Sequence, residues 1–381
     1  MKIAILRQKP LGLGGAETTL AHLARGLAGV GHEVTVFGAD RPGGGPNPLG
    51  RGVRYVTVPV WGGKSGRLLS FALNCRRLLL NAPDHLVFSL DRTLFQQVYR
   101  AGDGCHREWL ARRTAFLSPP ARLAQKVSLF HRVMLLLERR LFASPELARV
   151  IANSRQVQGE IQRHYQVAPA RIRVIYNGLD HSRFRPQPLA NRTLLARHLG
   201  LPADARLVLF VGTGFARKGL AFLLQALAQL QDHGVHLWVV GKGPLRPYQR
   251  LASSLRVQER LRFFGPQPDV APFYQAATVL ALPTLYDPLS NVVLEALASG
   301  CPVVTTSANG ASEFIRPAYG RIISGADRLP ELCRALEDLL AIGDNPEVRS
   351  AAAASVAHLS WDQTVARTAE VLEEAAGIRG E

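Results

Sequence analysis

The stretch of sequence that decides the fold, residues 286–304, reads YDPLSNVVLEALASGCPVV. It follows the apolar run 279–282 and leads into a predicted helix over about 291–299, after which the chain returns to a buried strand. The backbone amides at the start of such a helix face the crevice at the carboxyl ends of the strands, which favours an anion there. Asp287 precedes the helix and Glu295 lies one turn inside it, so two carboxylates flank the same crevice. This arrangement suits a sugar ring and a ribose around a diphosphate.

Length and composition indicate two globular domains in a reducing compartment. The chain has 381 residues, of which 47% are hydrophobic, so two domains are expected and each has enough apolar side chains for a core. The four cysteines have no C-x-x-C spacing, so neither a disulfide framework nor a zinc site is indicated. The N-terminus has too few apolar residues for a signal peptide, and no window approaches the roughly 20 apolar residues of a membrane span. We therefore expect a cytoplasmic protein.

The chain is strongly basic, with 46 Lys and Arg against 29 Asp and Glu and a formal net charge of +17. A surplus of this size indicates an anionic partner: a nucleic acid, an anionic membrane face or a phosphorylated substrate. The alternative interpretation is a genomic preference for arginine. The distribution of the charge along the chain helps to decide between them.

The segment 105–142 carries eight basic residues against two acidic ones, interleaved with aromatic residues and a leucine-methionine run. Basic, aromatic and aliphatic residues mixed on helices are typical of an interfacial helix that lies on an anionic bilayer. The alternative is that the leucine-methionine run packs into a domain core while the arginines face water. The sequence alone leaves both interpretations open.

Apolar runs alternate with helical patterns twice along the chain. The predicted strands of the first half are 2–6, 33–37, 53–58, 85–90 and 149–152, with helices at about 16–29, 66–80 and 121–142. Those of the second half are 207–212, 237–241, 261–264, 279–282 and 302–305. Short Val- and Ile-rich runs between helices predict mostly parallel sheets covered on both faces. The expected fold class is α/β with two doubly wound parallel-sheet domains, a hinge at 174–180 and a surface loop at 41–48.

Two glycine-rich loops each follow the first predicted strand of a half. The first contains Gly14 and Gly15, and the second spans residues 212–219. Glycine lets the backbone approach a ligand closely, and the helix after each loop supplies amides toward a phosphate. In the second loop, Arg217 and Lys218 add two positive charges where a diphosphate would lie.

The first loop also contains part of a dinucleotide-binding fingerprint, because Gly12-x-Gly14 follows a strand and Asp40 follows the next one. Its sixth position is Glu17, where the fingerprint requires Gly or Ala and where a negative charge would lie near the pyrophosphate. Neither glycine-rich run ends in the G-K-[ST] of a Walker phosphate loop. These features disfavour a nicotinamide or flavin enzyme and a Walker-type site.

Taken in order, the motifs resemble the retaining glycosyltransferases of family four, glycosyl transferases group 1, which have the GT-B architecture. The residues that carry the resemblance are Gly14-Gly15-Ala16-Glu17, Asn153-Ser154, Asn177-Gly178-Leu179-Asp180, Arg217-Lys218 within 212–219, and the segment 287–295. Within the family, the motif order and the segment 105–142 most resemble lipopolysaccharide core glucosyltransferase I. The resemblance implies two Rossmann-like domains that face a central cleft. Residues 1–178, with a C-terminal helix at about 361–381 packing back onto them, would bind the acceptor, and residues 179–360 would bind the nucleotide sugar.

Carried over residue by residue, the resemblance implies a nucleotide-sugar site. Its members would be Gly14, Gly15, Gly214, Arg217, Lys218, Ser290, Asn291 and Glu295. Arg217 and Lys218 would neutralise the leaving diphosphate, assisted by the amides of Ser290 and Asn291. Glu295 would accept hydrogen bonds from the ribose.

Three further residues would act near the reacting carbon. Asp287 would bind donor-sugar hydroxyls, His106 would lie near the 6-hydroxyl of that sugar, and Asp103 would touch the acceptor. The alternative for His106 is an ordinary surface histidine. The family usually has Glu where Asp287 stands and Gly where Asn291 stands, and the shorter Asp puts the identity of the donor sugar in question.

The expected reaction moves a hexose from a nucleotide diphosphate sugar, in the first place a UDP-sugar, to a lipid-linked oligosaccharide such as lipopolysaccharide core, with retention, at the cytoplasmic membrane face. We expect front-side attack in which the departing phosphate takes the acceptor proton, because no residue is placed as a covalent nucleophile. No cofactor and no metal are expected, since Arg217, Lys218 and the helix start supply positive charge. Two alternatives remain: a nucleotide-sugar epimerase of the same architecture, and a basic nucleic-acid-binding protein, which would leave both phosphate loops without a purpose.

Overall fold

A computed structural model describes residues 1–10, 14–39, 49–50, 52–202 and 205–380 of the chain. The chain forms two compact units, Met1–Gly178 together with Trp361–Glu381, and Leu179–Ser360. Gly12 and Asp40 of the dinucleotide interpretation, and the predicted loop 41–48, lie outside the described residues.

The described part of the first unit is built on a seven-stranded parallel sheet. Its strands are β1 (Lys2–Leu6), β2 (Glu33–Gly38), β3 (Val53–Thr57), β4 (His85–Ser89), β5 (Val98–Ala101), β6 (Arg149–Ala152) and β7 (Ile172–Val174). They lie in the order β3-β2-β1-β4-β5-β6-β7, and each neighbouring pair is parallel. The order reverses between β1 and β4, so the carboxyl ends of these two strands form the topological switch point, where ligands bind in such sheets.

Helices cover the first sheet. They are α1 (Gly15–Gly29), α2 (Lys64–Leu80), α3 (His106–Thr114), α4 (Pro119–Val127), α5 (Leu129–Phe142), α6 (Arg155–Tyr165) and α14 (Trp361–Gly380). Helix α14 packs against α1, where the ring of Trp361 stacks on that of His22 with centroids 4.2 Å apart. Val365, Val371, Leu372 and Ala375 of α14 belong to the same buried cluster as residues of β1, β2 and α1. The C-terminal helix therefore completes the core of the first unit.

The described part of the second unit has a six-stranded parallel sheet. Its strands are β8 (Arg206–Val211), β9 (Val235–Val240), β10 (Leu261–Gly265), β11 (Val279–Leu282), β12 (Val303–Thr306) and β13 (Gly320–Ile323). They lie in the order β10-β9-β8-β11-β12-β13, again all parallel. The order reverses between β8 and β11, so the loops that follow these two strands meet at the switch point.

Of the helices of the second unit, the first precedes the strands along the chain, and the others lie between the strands or after the last one. They are α7 (Leu189–His198), α8 (Leu220–Gln229), α9 (Arg246–Ser254), α10 (Ala271–Ala276), α11 (Asn291–Ala298), α12 (Leu329–Ile342) and α13 (Pro346–Ser355). Two doubly wound parallel-sheet units confirm the predicted fold class. Among the described residues, no helix combines the length and the apolar character needed to cross a membrane.

The structure differs from the predicted elements in three respects, the first of which is that helices α3 and α6 were not predicted. Strands β5, β7 and β13 were not predicted, and β5 carries Arg100, which is only 1% exposed although an arginine normally marks a surface position. The predicted helix 121–142 is two helices, because Ser128 caps α5 and its hydroxyl accepts a hydrogen bond from the amide of His131.

Candidate functional site

Two cations and a carboxylate meet at the switch point of the second sheet. Nζ of Lys218 lies 3.1 Å from Oδ2 of Asp287, and Nη1 of Arg217 lies 3.2 Å from the same oxygen. Nη1 of Arg217 also donates to the carbonyl of Tyr286 at 2.7 Å. The loop after β8 supplies the cations and the loop after β11 supplies the carboxylate, so sheet topology brings together residues that are about 70 positions apart. Sequence reasoning placed Asp287 beside the sugar and did not predict this ion pairing.

Burial and ion pairing have opposite effects on the pKa values of Asp287 and Lys218. Burial would raise the pKa of Asp287, but Lys218 and Arg217 outweigh it and hold that pKa below its usual value. Burial lowers the pKa of Lys218, against the opposing effect of Asp287. Asp287 is therefore ionised at neutral pH, and both cations are held at a fixed place by one oxygen.

The backbone of the loop after β8 depends on glycine. Gly212, Gly214 and Gly219 have φ values of 147°, 72° and 82°, which side-chain-bearing residues rarely adopt. A Cβ atom at Gly219 would overlap the carbonyl of Pro283, and one at Gly212 would overlap the methylenes of Lys218. The glycines thus allow the loops after β8 and β11 to approach each other, which places Lys218 beside the carboxylate.

The start of α11 lies beside this group, but one of its predicted amide donors is occupied. The amide of Ser290 donates to Oδ1 of Asn309 at 3.3 Å, a contact that sequence reasoning missed. The hydroxyl of Ser290 is buried and is without a hydrogen-bond partner among the described residues. Asn291 is the first residue of the helix. At Ser290 the unused polar group is therefore the side chain, not the predicted amide.

Glu295 is held by a tyrosine that the sequence did not indicate. The hydroxyl of Tyr274, in α10, donates to Oε2 of Glu295 at 2.8 Å, and Tyr274 is fully buried. Burial raises the pKa of Glu295, although the Tyr274 hydrogen bond opposes it. Glu295 remains partly exposed, so it still has a side open to a ligand.

In the first unit, the predicted loop residues lie at the start of α1. Gly14 is the N-cap residue, with extended backbone, and Gly15 opens the helix. A Cβ atom at Gly14 would overlap the carboxylate of Glu17, which folds back over it. Glu17 therefore occupies the space beside the helix start where a dinucleotide-binding loop admits its phosphate.

An ion cluster that sequence reasoning missed lies at the switch point of the first sheet. Nη1 of Arg7 is 2.8 Å from Asp91 and 3.3 Å from Asp103, and the amide of Gln8 donates to Asp91. Asp103 is about half exposed, whereas Arg7 is mostly buried. Arg7 directly follows β1 and Asp91 closely follows β4, so their position at the ends of neighbouring strands was the available signal.

His106 is a buried histidine and not a surface one. Its amide donates to Glu138 at 2.8 Å, and its Nε2 lies 3.1 Å from Nδ1 of His131. Nη1 of Arg113 approaches Nε2 of His131 at 3.4 Å, and a guanidinium can only donate. His131 must then carry its proton on Nδ1 and donate to His106, which leaves the proton of His106 on Nδ1. Burial, with smaller contributions from neighbouring cations, lowers the pKa of His106 to about 4.

The predicted site residues fall into two groups, one in each unit. The first unit holds Gly14, Gly15, Asp103 and His106, and the second holds Gly214, Arg217, Lys218, Asp287, Ser290, Asn291 and Glu295. Within the second unit, Arg217 and Lys218 both contact Asp287. Within the first, Arg7 is the residue that joins Asp103 to the carboxyl end of β1.

The basic segment 105–142 is partly core and partly surface. Leu137, Leu141 and Phe142 are buried, as the core interpretation requires. In contrast, α4 has no buried residue, and Leu123 and Val127 are 63% and 64% exposed. The second half of α5 therefore packs into the domain as a core helix, whereas α4 lies on the surface.

The matches to known protein families include residues of both units. The family model described as "Glycosyltransferase Family 4" matches residues 13–183, and that described as "Glycosyl transferases group 1" matches residues 205–342. The lipopolysaccharide glucosyltransferase WaaG of Escherichia coli is 28% identical over 84% of this chain and 83% of that protein. The lipopolysaccharide core biosynthesis glycosyltransferase LpsE of Rhizobium meliloti is 38% identical over 38% of this chain and 42% of that protein.

Solved structures share the fold. The crystal structure of WaaG superposes with a TM-score of 0.83 and 24% identity, covering 97% of this chain and 99% of that one. The structure of Anabaena HepE in complex with UDP-glucose superposes with a TM-score of 0.69 and 20% identity, covering 98% of this chain and all of that one. None of these matches favours an epimerase or a nucleic-acid-binding protein. With two matching family models and the shared two-sheet fold, the chain belongs to the group 1 glycosyltransferases of GT-B architecture, as a hexosyltransferase related to the lipopolysaccharide core enzymes WaaG and LpsE.

Proposed function

We propose that the protein is a retaining hexosyltransferase that transfers a hexose from a nucleotide diphosphate sugar to a lipid-linked oligosaccharide such as lipopolysaccharide core. It would act at the cytoplasmic face of the membrane, as a peripheral protein. The names of WaaG and LpsE support the acceptor class. The UDP-glucose complex of the fold relative HepE supports a UDP-sugar as the donor.

Two cations that meet at the switch point of the second sheet carry this proposal. Arg217 and Lys218 are fixed by Asp287 at the carboxyl ends of β8 and β11, beside the first turn of α11. A diphosphate placed there gains two charge-assisted contacts that need no rearrangement as negative charge develops on the leaving group. The chain's own cations supply this charge, so the proposed reaction needs neither a divalent metal nor a cofactor.

Asp287 has two tasks in this proposal. Its Oδ2 positions both cations, whereas Oδ1 accepts no hydrogen bond from the described residues and is available to a sugar hydroxyl. The acceptor hydroxyl attacks on the face from which the diphosphate departs, and the departing phosphate oxygen takes its proton. The C–O bond to the diphosphate breaks as the new glycosidic C–O bond forms, so the configuration at the anomeric carbon is retained.

The first unit would bind the acceptor at the switch point of its own sheet. Asp103, held by Arg7, offers a half-exposed carboxylate to acceptor hydroxyls. His106, whose Nδ1 is not bonded to any described residue, would donate from that nitrogen to a hydroxyl of the donor sugar. Its low pKa keeps this imidazole neutral and the donor assignment fixed.

The membrane partner is supported by the surface of α4. Arg122, Leu123, Lys126 and Val127 are all exposed, and this helix contains no acidic residue. Exposed cations next to exposed aliphatic side chains fit an anionic bilayer, in which the aliphatic groups insert and the cations remain at the headgroups.

Replacing the two cations tests the proposed donor site. We expect Arg217→Ala and Lys218→Ala each to lower hexose transfer by about 10²-fold or more, because each removes charge stabilisation of the leaving group. Transfer is measured as labelled hexose carried from the nucleotide sugar to a lipid-linked acceptor. Arg334→Ala, on the exposed side of α12 in the same unit, removes an equal charge and should retain full activity. Near wild-type transfer by both site variants would remove these residues from the mechanism.

The two alternative functions, an epimerase and a nucleic-acid-binding protein, can be distinguished by the products that the protein forms and the ligands that it binds. An epimerase would release an epimer or free sugar without any acceptor, which chromatography of the products detects. A nucleic-acid-binding protein would be retained by an oligonucleotide column whether or not nucleotide sugar is present. Each nucleotide sugar of a panel should raise the thermal unfolding midpoint of the protein only if the folded protein binds it. The compounds that raise the midpoint would identify the base and the sugar of the donor.

A further inference from the structure

Helix α2 exposes an unusual set of side chains. Its solvent-exposed residues are Lys64, Leu69, Leu73, Arg76, Arg77, Leu78 and Leu80, and all of them are cations or leucines. Trp61, shortly before the helix, is 57% exposed. The opposite side is ordinary core, where Phe71, Cys75 and Leu79 join a buried cluster with β1 and β4.

The exposed face has neither the charge balance nor the polarity of a solvated helix. Leu69, Leu73 and Leu80 follow one another at spacings of four and seven residues, which places them on one side of the helix. Arg76 and Arg77 fall between them, and α2 contains no Asp or Glu to pair with them. A partner for this face must therefore be both apolar and anionic.

We propose that α2, together with Trp61, is a second membrane-docking element that binds the surface of an anionic lipid bilayer. Leucine side chains insert at the acyl boundary, and the arginines and Lys64 remain at the phosphate headgroups. A tryptophan such as Trp61 favours the same interfacial depth. This inference rests on the proposed membrane partner and adds a binding surface that lies outside the segment 105–142.

The position of α2 supports a bilayer over other occupants. Helix α2 packs beside α5, whose exposed residues include Leu129, Arg132 and Leu136, so the exposed side of α2 borders that of the basic segment. A second copy of this chain, related by a twofold axis, would place Arg76 and Arg77 against their own counterparts. Nucleic acid would satisfy the cations but leave the leucines in water.

Flotation with lipid vesicles tests the inference. The wild-type chain should bind vesicles made of equal parts phosphatidylcholine and phosphatidylglycerol, and bind phosphatidylcholine vesicles weakly. We expect Leu69→Ser with Leu73→Ser, and separately Arg76→Gln with Arg77→Gln, to weaken binding to the anionic vesicles on the order of tenfold. All four side chains are exposed, so folding and sugar transfer to a water-soluble acceptor should be unchanged.

Matched controls separate this inference from the proposed membrane partner. Leu194→Ser changes a leucine of the second unit that is 66% exposed, and it should bind vesicles like wild type. If the α2 variants bind like wild type while Leu123→Ser with Val127→Ser weakens binding, α2 is not a docking element although the membrane partner stands. If the wild-type chain fails to bind anionic vesicles, both proposals fail. Loss of a dimer in the α2 variants, with vesicle binding intact, would identify a second copy as the occupant.

Discussion

His106 is kept neutral by its surroundings. Burial is the main cause of its low pKa of about 4, and Arg92, His131 and Arg113 lower it further against the attraction of Glu138. A histidine in an unfolded chain has a pKa of about 6.5. The unfolded chain therefore binds a proton between these two values that the folded chain does not bind.

This difference predicts a pH dependence of stability. The contribution of His106 is fully present above about pH 6.5 and is lost as the pH falls toward about 4, at about 1.4 kcal/mol for each pH unit. His106→Gln removes the titrating group, so its unfolding free energy should fall less than that of wild type over this window. Urea unfolding at a series of pH values measures both curves. Parallel curves would show that His106 is not buried in its neutral form.

Asp287 shows what can be predicted at the level of single residues. Its acidic character and its place before a helix follow from the sequence, as does the presence of two cations in a glycine-rich loop elsewhere in the chain. The pairing of its carboxylate with Lys218 and Arg217 does not, because it depends on two loops that meet only when β8 and β11 become neighbours. The same reason explains why the Arg7–Asp91 pair was missed.

The contact between α1 and α14 depends on one glycine. A Cβ atom at Gly26 would overlap both Cγ methyl groups of Val365, and a β-branched side chain has little freedom to turn away. We expect Gly26→Ala to destabilise the protein by about 1–3 kcal/mol through overpacking. This loss outweighs the gain of about 1 kcal/mol that alanine brings to a helix. Chemical denaturation measures the difference.

Helix α1 contains its own control for this prediction. Gly29 has no heavy atom within 4 Å of an added Cβ, so Gly29→Ala should leave stability unchanged or raise it. Combining Gly26→Ala with Val365→Ala should recover part of the loss, because the two side chains compete for the same space. A Gly26→Ala protein as stable as wild type would exclude close packing of α14 at this point.

Elements with an uninterrupted pattern were predictable, whereas a strand with an interrupted pattern was not. Helix α11 was expected over about 291–299 and spans Asn291–Ala298. Strand β5 was missed because Arg100 interrupts its apolar pattern. That arginine is buried by donating to the carbonyl of Ile175 and to the side chain of Asn177, partners more than 70 residues away. Local patterns cannot reveal contacts at such separations.

Across the whole molecule, the reactivity of the cysteine thiols depends on whether the chain is folded. All four are free, Cys75, Cys105 and Cys301 are buried, and Cys333 is partly exposed. Burial raises the pKa of the buried thiols, to about 11 for Cys301, so few thiolates are present to react. We expect a thiol reagent to modify one cysteine per native chain quickly and all four in denaturant. Cys333→Ser should abolish the fast reaction, and rapid modification of two or more thiols in the native protein would contradict the prediction.

The two-sheet α/β fold could be predicted because strand-like and helical runs alternate twice along the chain. The order of strands within each sheet could not, because it depends on which strands become neighbours. The place of β1 beside β4, and of β8 beside β11, determines where the functional loops meet. The sequence therefore indicated which loops carry function but not which side chains would touch.

The contribution of α14 to the first core has a consequence during protein synthesis. Ribosomes make residues 361–380 only after the whole of Leu179–Ser360, which takes on the order of tens of seconds. Until then, the nascent first unit lacks Val365, Val371 and Leu372, and the apolar side chains of β1 and α1 that they cover remain open to solvent. Chaperones and proteases therefore have their longest access to the part of the chain that is translated first.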